Sequence, residues 1–429
     1  MRPPVPPPVR VTCDSLAALP PATRDGRVHF GKNSDRPELE AQPLSLHPRS
    51  RHHPGASLRC TYIDIPQVDA SARVLGSRPY WCWGFEHGVN EHGVTIGNHT
   101  IFTKEDPGEP GLIGMDLVRL GLERGRTAAD AVAVITRLIE EHGQGGSGFA
   151  DKDWAYNNSF LVADRSSAYV LETCNRHWAW RRVDELASLS NHVTLGSDWQ
   201  MLSEGFVEHA VARGWWPAAS RALFVVAAAC RYSSLVPPSI SSGRHGRTCE
   251  LLDRDRGHVD VATLRAALRD HYGQLAPSVD ISGLRPEDVS VCMHAEPVGT
   301  TTASLIVAPP PDEVEPLVAW ASLGSPCCSV FVPLRLDAEL PASMTVGADT
   351  PAADSLWWQC KRLVRWVEKD WATRLSPLRT ELDAIEEEAG QAMSAAIAQG
   401  DAETATRASA ATVAALERVI AATLAGESE

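Results

Sequence analysis

The chain has 429 residues, of which 44% are hydrophobic and 22% charged, so it is long enough to bury a large core. Its formal net charge of -14 argues against nucleic acid or an anionic membrane as a partner. No apolar run approaches the roughly 18 to 20 residues of a membrane span, and the N-terminus lacks the roughly 7 to 15 apolar residues of a signal peptide. We therefore expect a cytoplasmic globular protein.

The ten cysteines are scattered along the chain and include no C-x-x-C pair, so we expect reduced thiols rather than disulfides. Metal motifs are equally scarce. His52-His53 lies in a Pro- and Arg-rich stretch, and Glu140-Glu141-His142 lacks the second histidine of H-E-x-x-H. The sequence therefore predicts neither a metal site nor an organic cofactor.

Residues 1–12 contain five prolines, at positions 3, 4, 6, 7 and 8, which favour an extended arm with few backbone donors. We expect this segment to be a leader that can leave without disturbing a core. The next stretches with β-like patterns are 11–18, 28–31, 60–65 and 94–100, separated by Gly, Pro and charged turns. They predict a sheet of mainly antiparallel strands.

Two amphipathic helices are expected next. One covers 114–124, and the other begins after Thr127 as N-cap, with Asp130 in the capping-box position. Further strands are predicted at 159–164, 169–172, 177–182, 289–294, 303–308 and 317–321. An order of sheet, helix pair and sheet is typical of helices packed outside two stacked sheets.

From about residue 352 the pattern becomes helical, first with several tryptophans on apolar faces and then Ala- and Glu-rich. We expect 351–429 to be a helical C-terminal extension whose tryptophan-rich first helix belongs to the core. The last segment, 401–429, could instead pack in a dimer. The sequence therefore leaves open whether the chain forms a homo-oligomer.

Cys13 lies on the apolar run Val11-Thr12-Cys13-Asp14-Ser15-Leu16. One interpretation is a small buried thiol in a strand. The other is an N-terminal nucleophile: the chain is cut before Cys13, which then supplies the attacking thiol and, through its freed α-amine, the base. A thiol titrates near about 8.5 and an α-amine near about 7.7 to 8.0, so a proton passes between them at little cost.

The segment from Cys13-Asp14 to Phe30-Gly31-Lys32-Asn33-Ser34-Asp35-Arg36-Pro37 resembles the start of the secernins and the N-terminal nucleophile (Ntn) dipeptidases, distant cousins of penicillin V and bile salt acylases. Further blocks that resemble secernin segments follow in the same order, at 77–84, 88–98, 112–125, 141–146, 170–173 and 301–304. The resemblance implies an α+β fold, the four-layer αββα Ntn-hydrolase sandwich, with 13–350 as the catalytic domain.

The resemblance also implies roles near the thiol. Lys32 stands where the acylase cousins carry Arg, and a cation near the sulfur favours the thiolate; otherwise it is a surface lysine beside a turn. Asp35 would hydrogen-bond the Cys13 amine and hold it over the thiol.

Asn98 and Asn191 match the two asparagines that flank the reacting carbonyl in the acylases, where an amide NH2 and a backbone N–H can stabilise an oxyanion. Without the resemblance, both would be ordinary turn residues. Arg244 matches the distal arginine of those sites, with Arg247 as a competing choice. The stretch 145–148 has neither the P-loop ending nor the G-x-S-x-G order, so we expect a mobile loop near the site mouth.

These residues together predict a cysteine Ntn hydrolase that cleaves amide bonds, first of all a dipeptidase, through a thioester on Cys13. The expected partner is a small peptide or N-acyl amide substrate. Two alternatives stay open. One is an amidase acting on N-acyl amino acids or related small amides, and the other is a secernin-like interaction protein whose hydrolase site is vestigial.

Overall fold

The computed structural model describes residues 12–105, 107–232, 239–277, 289–295 and 299–426, so the predicted leader lies outside the described residues except for Thr12. The strands are β1 (Thr12–Ala18), β2 (His29–Arg36), β3 (Leu44–His47), β4 (Ser50–Arg51), β5 (Ser57–Arg59), β6 (Asp64–Pro66), β7 (Ala70–Ser71), β8 (Val74–Ser77), β9 (His87–Asn90), β10 (Thr95–Ile101), β11 (Asn157–Ala163), β12 (Ala168–Cys174), β13 (His177–Arg182), β14 (Leu186–Leu189), β15 (Met201–Leu202), β16 (His294–Ala295), β17 (Gly299–Val307), β18 (Val318–Leu323) and β19 (Val332–Arg335). The helices are α1 (Gly114–Arg124), α2 (Ala128–His142), α3 (Phe206–Ala212), α4 (Val226–Cys230), α5 (Arg244–Arg254), α6 (Val261–Leu268), α7 (Leu356–Glu368), α8 (Trp371–Gln399) and α9 (Ala402–Leu424).

Two antiparallel sheets form the centre of the molecule. The first has the strand order β14-β1-β2-β17-β18-β19, with β16 added to β17, and the second has the order β15-β13-β12-β11-β10-β9-β8-β3. Their inner faces pack together: Ala17 and Phe30 of the first sheet share a core with Leu161 and Val170 of the second. Side chains alternate along a strand, so the neighbours of these residues face outward.

Helices cover both outer faces. Leu16 of β1 and Ile306 of β17 pack with Leu264 of α6. On the second sheet, Phe160 and the other outward residues pack against α1 and α2, where Ile135 is buried. The α+β, four-layer αββα sandwich predicted from the sequence is thereby confirmed.

The C-terminal helices are also confirmed, and they pack against the same sandwich. Trp357 and Trp358 of α7 are buried in a core that includes residues of β17, β18 and β19. In α9, Ser409 donates a hydrogen bond to the carbonyl of Pro333 on β19 (2.7 Å). No helix among the described residues has both the length and the apolar character needed to cross a bilayer.

Several local predictions agree with the structure. Helix α1 has the predicted bounds, and α2 begins with the predicted capping box of Thr127 and Asp130. The strand predicted at 60–65 is wrong for 60–63, and only its last two residues belong to a strand, β6. Cys60 N donates to the carbonyl of Ile63 (2.9 Å), which closes the turn of the β5–β6 hairpin.

Among the remaining predicted strands, two differ most instructively from the structure, while β17 also begins earlier than predicted, at Gly299. The strand predicted at 28–31 continues through Arg36, because β2 lies between β1 and β17 and its backbone bonds to both. Of 289–294, only His294 belongs to a strand. The preceding backbone bonds elsewhere: the Val291 carbonyl accepts from the Asn33 amide (2.9 Å) and Cys292 N donates to the Asp270 carbonyl (3.2 Å).

Candidate active site

Cys13 is the second residue of β1 and pairs with Ser34 of β2 in the first sheet. Because side chains alternate, Cys13 and Ser15 face the second sheet together with Ala17, whereas Asp14 faces the helices with Leu16. The thiol is almost fully buried, with 1% of the residue exposed. It therefore lies between the two sheets, and Cys13 is the first residue after the predicted leader.

Lys32 is buried beside Cys13 rather than exposed at a turn. It pairs with Ser15 across β1 and β2, and its side chain crosses to β10 at Gly97. A Cβ on Gly97 would come within 2.4 Å of Lys32 Cδ, so only glycine leaves this path open. The ammonium group donates to the carbonyl of Asn33 (3.3 Å).

Burial dominates the electrostatics of the thiol. It raises the pKa of Cys13 from 9.0 to about 11; the charge of Lys32 opposes this shift, and the charges of Glu86 and Asp35 add to it. With residues 1–12 attached, the Cys13 sulfur is therefore held as a neutral thiol at neutral pH.

Asn191, just after β14, binds the backbone of the candidate nucleophile. Its Oδ1 accepts the Cys13 backbone N–H at 2.8 Å, and its Nδ2 donates to the carbonyl of Thr100 on β10 at 3.0 Å. The same Oδ1 also accepts from Arg244 Nη2 at 2.8 Å. One N–H of the amide is thus engaged by Thr100, and an NH2 group has a second donor to offer.

Arg244 is the first residue of α5 and is fully buried. Besides Asn191, its guanidinium donates to the carboxylate of Asp14 and lies 3.7 Å from Asp35 Oδ2. Arg247, the competing candidate, instead pairs with Asp270 (2.8 Å) and Glu250 (3.0 Å). Of the two arginines, Arg244 is the one that the structure brings to the Cys13 backbone.

The Asp35 carboxylate contacts the residue that precedes Cys13. It accepts hydrogen bonds from Thr12 Oγ1 and Thr301 Oγ1, each at 2.7 Å. Burial raises the pKa of Asp35 to about 7; the nearby Arg244 charge lowers it and that of Asp14 raises it. In this uncleaved chain, Asn191 rather than the Asp35 carboxylate accepts the Cys13 N–H.

Asn98 lies on the outer face of β10, opposite to the face on which Gly97 meets Lys32. Its side chain packs against α1 near Met115 and can donate to Glu86 Oε2 (2.7 Å) when the amide nitrogen faces that carboxylate. Its backbone N–H donates to the Glu86 carbonyl (3.2 Å). The structure thus brings Asn98 to Glu86 and not to the Cys13 backbone.

Sequence reasoning overlooked a buried ion network behind the thiol. Arg36 pairs with Glu40 (2.6 Å) and Glu86 (3.2 Å), and its guanidinium donates to the carbonyl of Gly148 (2.6 Å). The glycine-rich stretch 145–148 is therefore held against the end of β2. Arg36 was visible in the segment resembling secernins, whereas no motif marked Glu86.

Asp14, Thr12 and Thr301 were also overlooked as site residues. Asp14 follows Cys13 directly, and strand alternation places its side chain on the outer face of the first sheet, next to the helices. There its carboxylate accepts a hydrogen bond from Arg244 of α5. Thr301 belongs to one of the blocks that resemble secernins, and its contact with Asp35 spans 266 residues of sequence. Such a pairing follows from the sheet order, with β17 beside β2, and not from local spacing.

No protein-family model matches the chain. Among solved structures, a mutant conjugated bile acid hydrolase from Clostridium perfringens is 13% identical, with a TM-score of 0.40 over 72% of this chain and 88% of that one. A second variant of that hydrolase is 13% identical, with a TM-score of 0.41 and the same coverage, 72% and 88%. An N-acylethanolamine-hydrolyzing acid amidase ortholog from Caenorhabditis elegans is 9% identical, with a TM-score of 0.36 over 69% of this chain and 92% of that one. Likenesses at this level assign neither a family nor a substrate.

Proposed function

We propose that the chain is a cysteine N-terminal nucleophile hydrolase that cleaves amide bonds. The observation that carries the proposal is the hydrogen bond of 2.8 Å from Cys13 N to Asn191 Oδ1, made beside a thiol and next to the buried charges of Arg244 and Asp14. A thiol that serves only for packing has no need of charged groups around its own backbone nitrogen. The resemblance of the segment after Cys13 to the secernins supports the same chemistry.

Maturation would convert this nitrogen into an amine. The Cys13 sulfur attacks the carbonyl carbon of Thr12, the Thr12–Cys13 amide bond breaks as the nitrogen takes up a proton, and a thioester forms. Water then hydrolyses the thioester, releasing residues 1–12 with a carboxylate end. The freed amine keeps Asn191 Oδ1 as an acceptor, and the Asp35 oxygen that held the Thr12 hydroxyl becomes free to bind it.

Turnover repeats this chemistry on a substrate. The amine takes the proton of the Cys13 thiol, and the thiolate, favoured by Lys32, attacks the substrate carbonyl. The second N–H of the Asn191 amide donates to the developing oxyanion. The amine passes its proton to the leaving group, and water releases the acid. In this scheme Asn98 acts through Glu86, as a positioning residue.

The proposed substrate is a dipeptide, which is what the resemblance to the Ntn dipeptidases implies. A small N-acyl amide is the alternative substrate of the same chemistry. The thiol is 1% exposed in the uncleaved chain, and we expect that processing and substrate access go together.

The experiment is hydrolysis of a panel of dipeptides and N-acyl amino acids by the purified full-length chain, followed by mass spectrometry of the products. Wild type and Cys82→Ala, which removes a second buried thiol, should both turn over the same substrates, and Cys13→Ala should turn over none. The substrate class that reacts decides between dipeptidase and acylase. Wild-type protein that begins at Cys13 and hydrolyses nothing in the panel would contradict the proposal and favour the vestigial alternative.

A further inference from the structure

Four side chains that can bind a metal meet away from the thiol, on the far side of β17. They are His271, Cys292, His294 and Cys327, all buried, and their ligand atoms lie within 4.8 Å of one another. His294 Nε2 lies 3.5 Å from Cys292 Sγ and 3.3 Å from Cys327 Sγ. The four residues come from the segment after α6, from β16 and the residues before it, and from the turn Pro326–Cys328.

The outer nitrogens of both imidazoles are occupied. His294 Nδ1 lies 3.3 Å from Glu368 Oε1, and His271 Nδ1 lies 3.2 Å from the carbonyl of Leu275. Each acceptor holds a proton on Nδ1 and leaves the Nε2 lone pair for a ligand, the arrangement usual for metal-binding histidines. His271 Nε2 is buried and has no hydrogen-bond partner among the described residues.

The donor set selects the ion. Two thiolates and two imidazoles suit Zn²⁺, whereas hard cations such as Mg²⁺ and Ca²⁺ prefer oxygen. Zinc bonds of about 2.0 to 2.3 Å place tetrahedral ligand atoms about 3.3 to 3.8 Å apart. The separations of 3.5 and 3.3 Å from His294 Nε2 to the sulfurs of Cys292 and Cys327 lie in that range. The four ligand atoms as a set lie within 4.8 Å of one another, so the wider separations would shorten by up to about 1 Å on binding.

We propose that His271, Cys292, His294 and Cys327 bind one structural Zn²⁺. With four protein ligands the site is closed, which is characteristic of a structural rather than a catalytic zinc. Trp371 at the start of α8 covers both imidazoles, with ring centroids at 4.8 Å from His294 and 6.0 Å from His271. The ion would join the segment after α6 to β16 and to the turn that follows β18, all beneath Trp371.

The zinc would also hold residues that contact Asp35 of the candidate active site. Met293, between two of the ligands, donates its N–H to Thr301 Oγ1 (2.8 Å), and Thr301 in turn donates to Asp35 (2.7 Å). Binding of the ion to the flanking residues would hold this relay in place. The ligands are far apart in sequence, which is why no metal motif marked them.

The first measurement is the metal content of the full chain, expressed with zinc in the medium and analysed by inductively coupled plasma mass spectrometry. We expect about one zinc per chain in wild type, and less than about a tenth as much in Cys327→Ala and His294→Gln. The matched control is Cys328→Ala, which removes the adjacent buried thiol and should retain the zinc.

Because the ligand variants can fail to fold, a second measurement uses wild type alone. Cobalt(II) exchanged into the site should give the intense visible bands of a tetrahedral thiolate complex, and added zinc should abolish them. The proposal is overturned if wild type holds no zinc and gives no such bands, or if Cys327→Ala keeps its zinc. A Cys292–Cys327 disulfide in the native protein would overturn it as well.

Discussion

Arg244 provides a quantitative test of the charged group around the Cys13 backbone. Arg244 and Asp14 are both fully buried and form an ion pair. If one of them is removed, water cannot reach the other charge to solvate it. Removing one partner of a buried ion pair costs about 3 to 5 kcal/mol, because the other charge stays in the interior. Arg244→Met, which keeps most of the side-chain volume, should therefore destabilise the chain by that amount.

The pairing itself is isolated by a double-mutant cycle. Asp14→Leu alone should cost a similar amount, since it leaves the Arg244 charge with less compensation. The double variant, in which both charges are replaced by apolar groups, should recover at least about 2 kcal/mol of the summed losses. Arg247→Met, in the same helix, should add to Asp14→Leu without coupling, because Arg247 pairs with Asp270 and Glu250 instead.

Urea unfolding is the appropriate assay, with all variants made on Cys13→Ala so that each chain keeps residues 1–12. The free energies of unfolding then differ only through the substitutions. Additive losses for Arg244→Met and Asp14→Leu would refute the claim that these two charges depend on each other. Equal coupling for Arg247→Met would refute the choice of Arg244.

Further predictions concern the groups around the scissile bond. Asn191→Ala in processed protein should lower kcat by about 100- to 1,000-fold with little change in KM, since the donor acts on the transition state; near wild-type turnover would remove Asn191 from the site. In the uncleaved chain the pKa of Cys13 is raised from 9.0 to about 11, so the folded state holds the proton more tightly and stability should fall as the pH rises from 9 through 11. At about 1.4 kcal/mol per unit, Cys13 contributes about 2 to 3 kcal/mol to this fall. The contribution is the difference between the uncleaved chain and Cys13→Ala in urea unfolding at each pH, because other buried thiols with raised pKa values, such as Cys60 and Cys360, titrate in both chains. On Cys13→Ala, Thr12→Val should cost about 1 to 3 kcal/mol in the same assay because Asp35 loses a hydrogen bond; an unchanged stability would mean that the Thr12 contact contributes nothing.

Elements with strong local patterns were predictable from the sequence. The bounds of α1 and the capping box of α2 depend on apolar period and on side chains within one turn, and both agree with the structure. The polar half of β2 was not predictable in this way. Lys32 and Asp35 lie beyond the strand predicted at 28–31, and they belong to β2 because β1 and β17 satisfy the backbone on both sides.

In the candidate site, too, some residues were predictable from the sequence and others were not. The hydrogen bonds from Cys13 to Asn191 and from Arg244 to the same Asn191 oxygen join residues that the resemblance already marked. The position of Asn98 could not be foreseen, because a shift of one residue along β10 moves a side chain to the other face of the sheet. The four ligands of the proposed zinc site are brought together by tertiary packing alone, so local spacing carried no trace of them.

The central claim is that the α-amine of Cys13 is the catalytic base. Its most direct test is the N-terminus of the active protein, determined by intact mass and N-terminal sequencing on fractions whose turnover is measured in parallel. Turnover should rise in proportion to the fraction of chains that begin at Cys13. Full turnover by chains that still carry Met1 would contradict the mechanism, since an acylated nitrogen cannot accept the proton of the thiol.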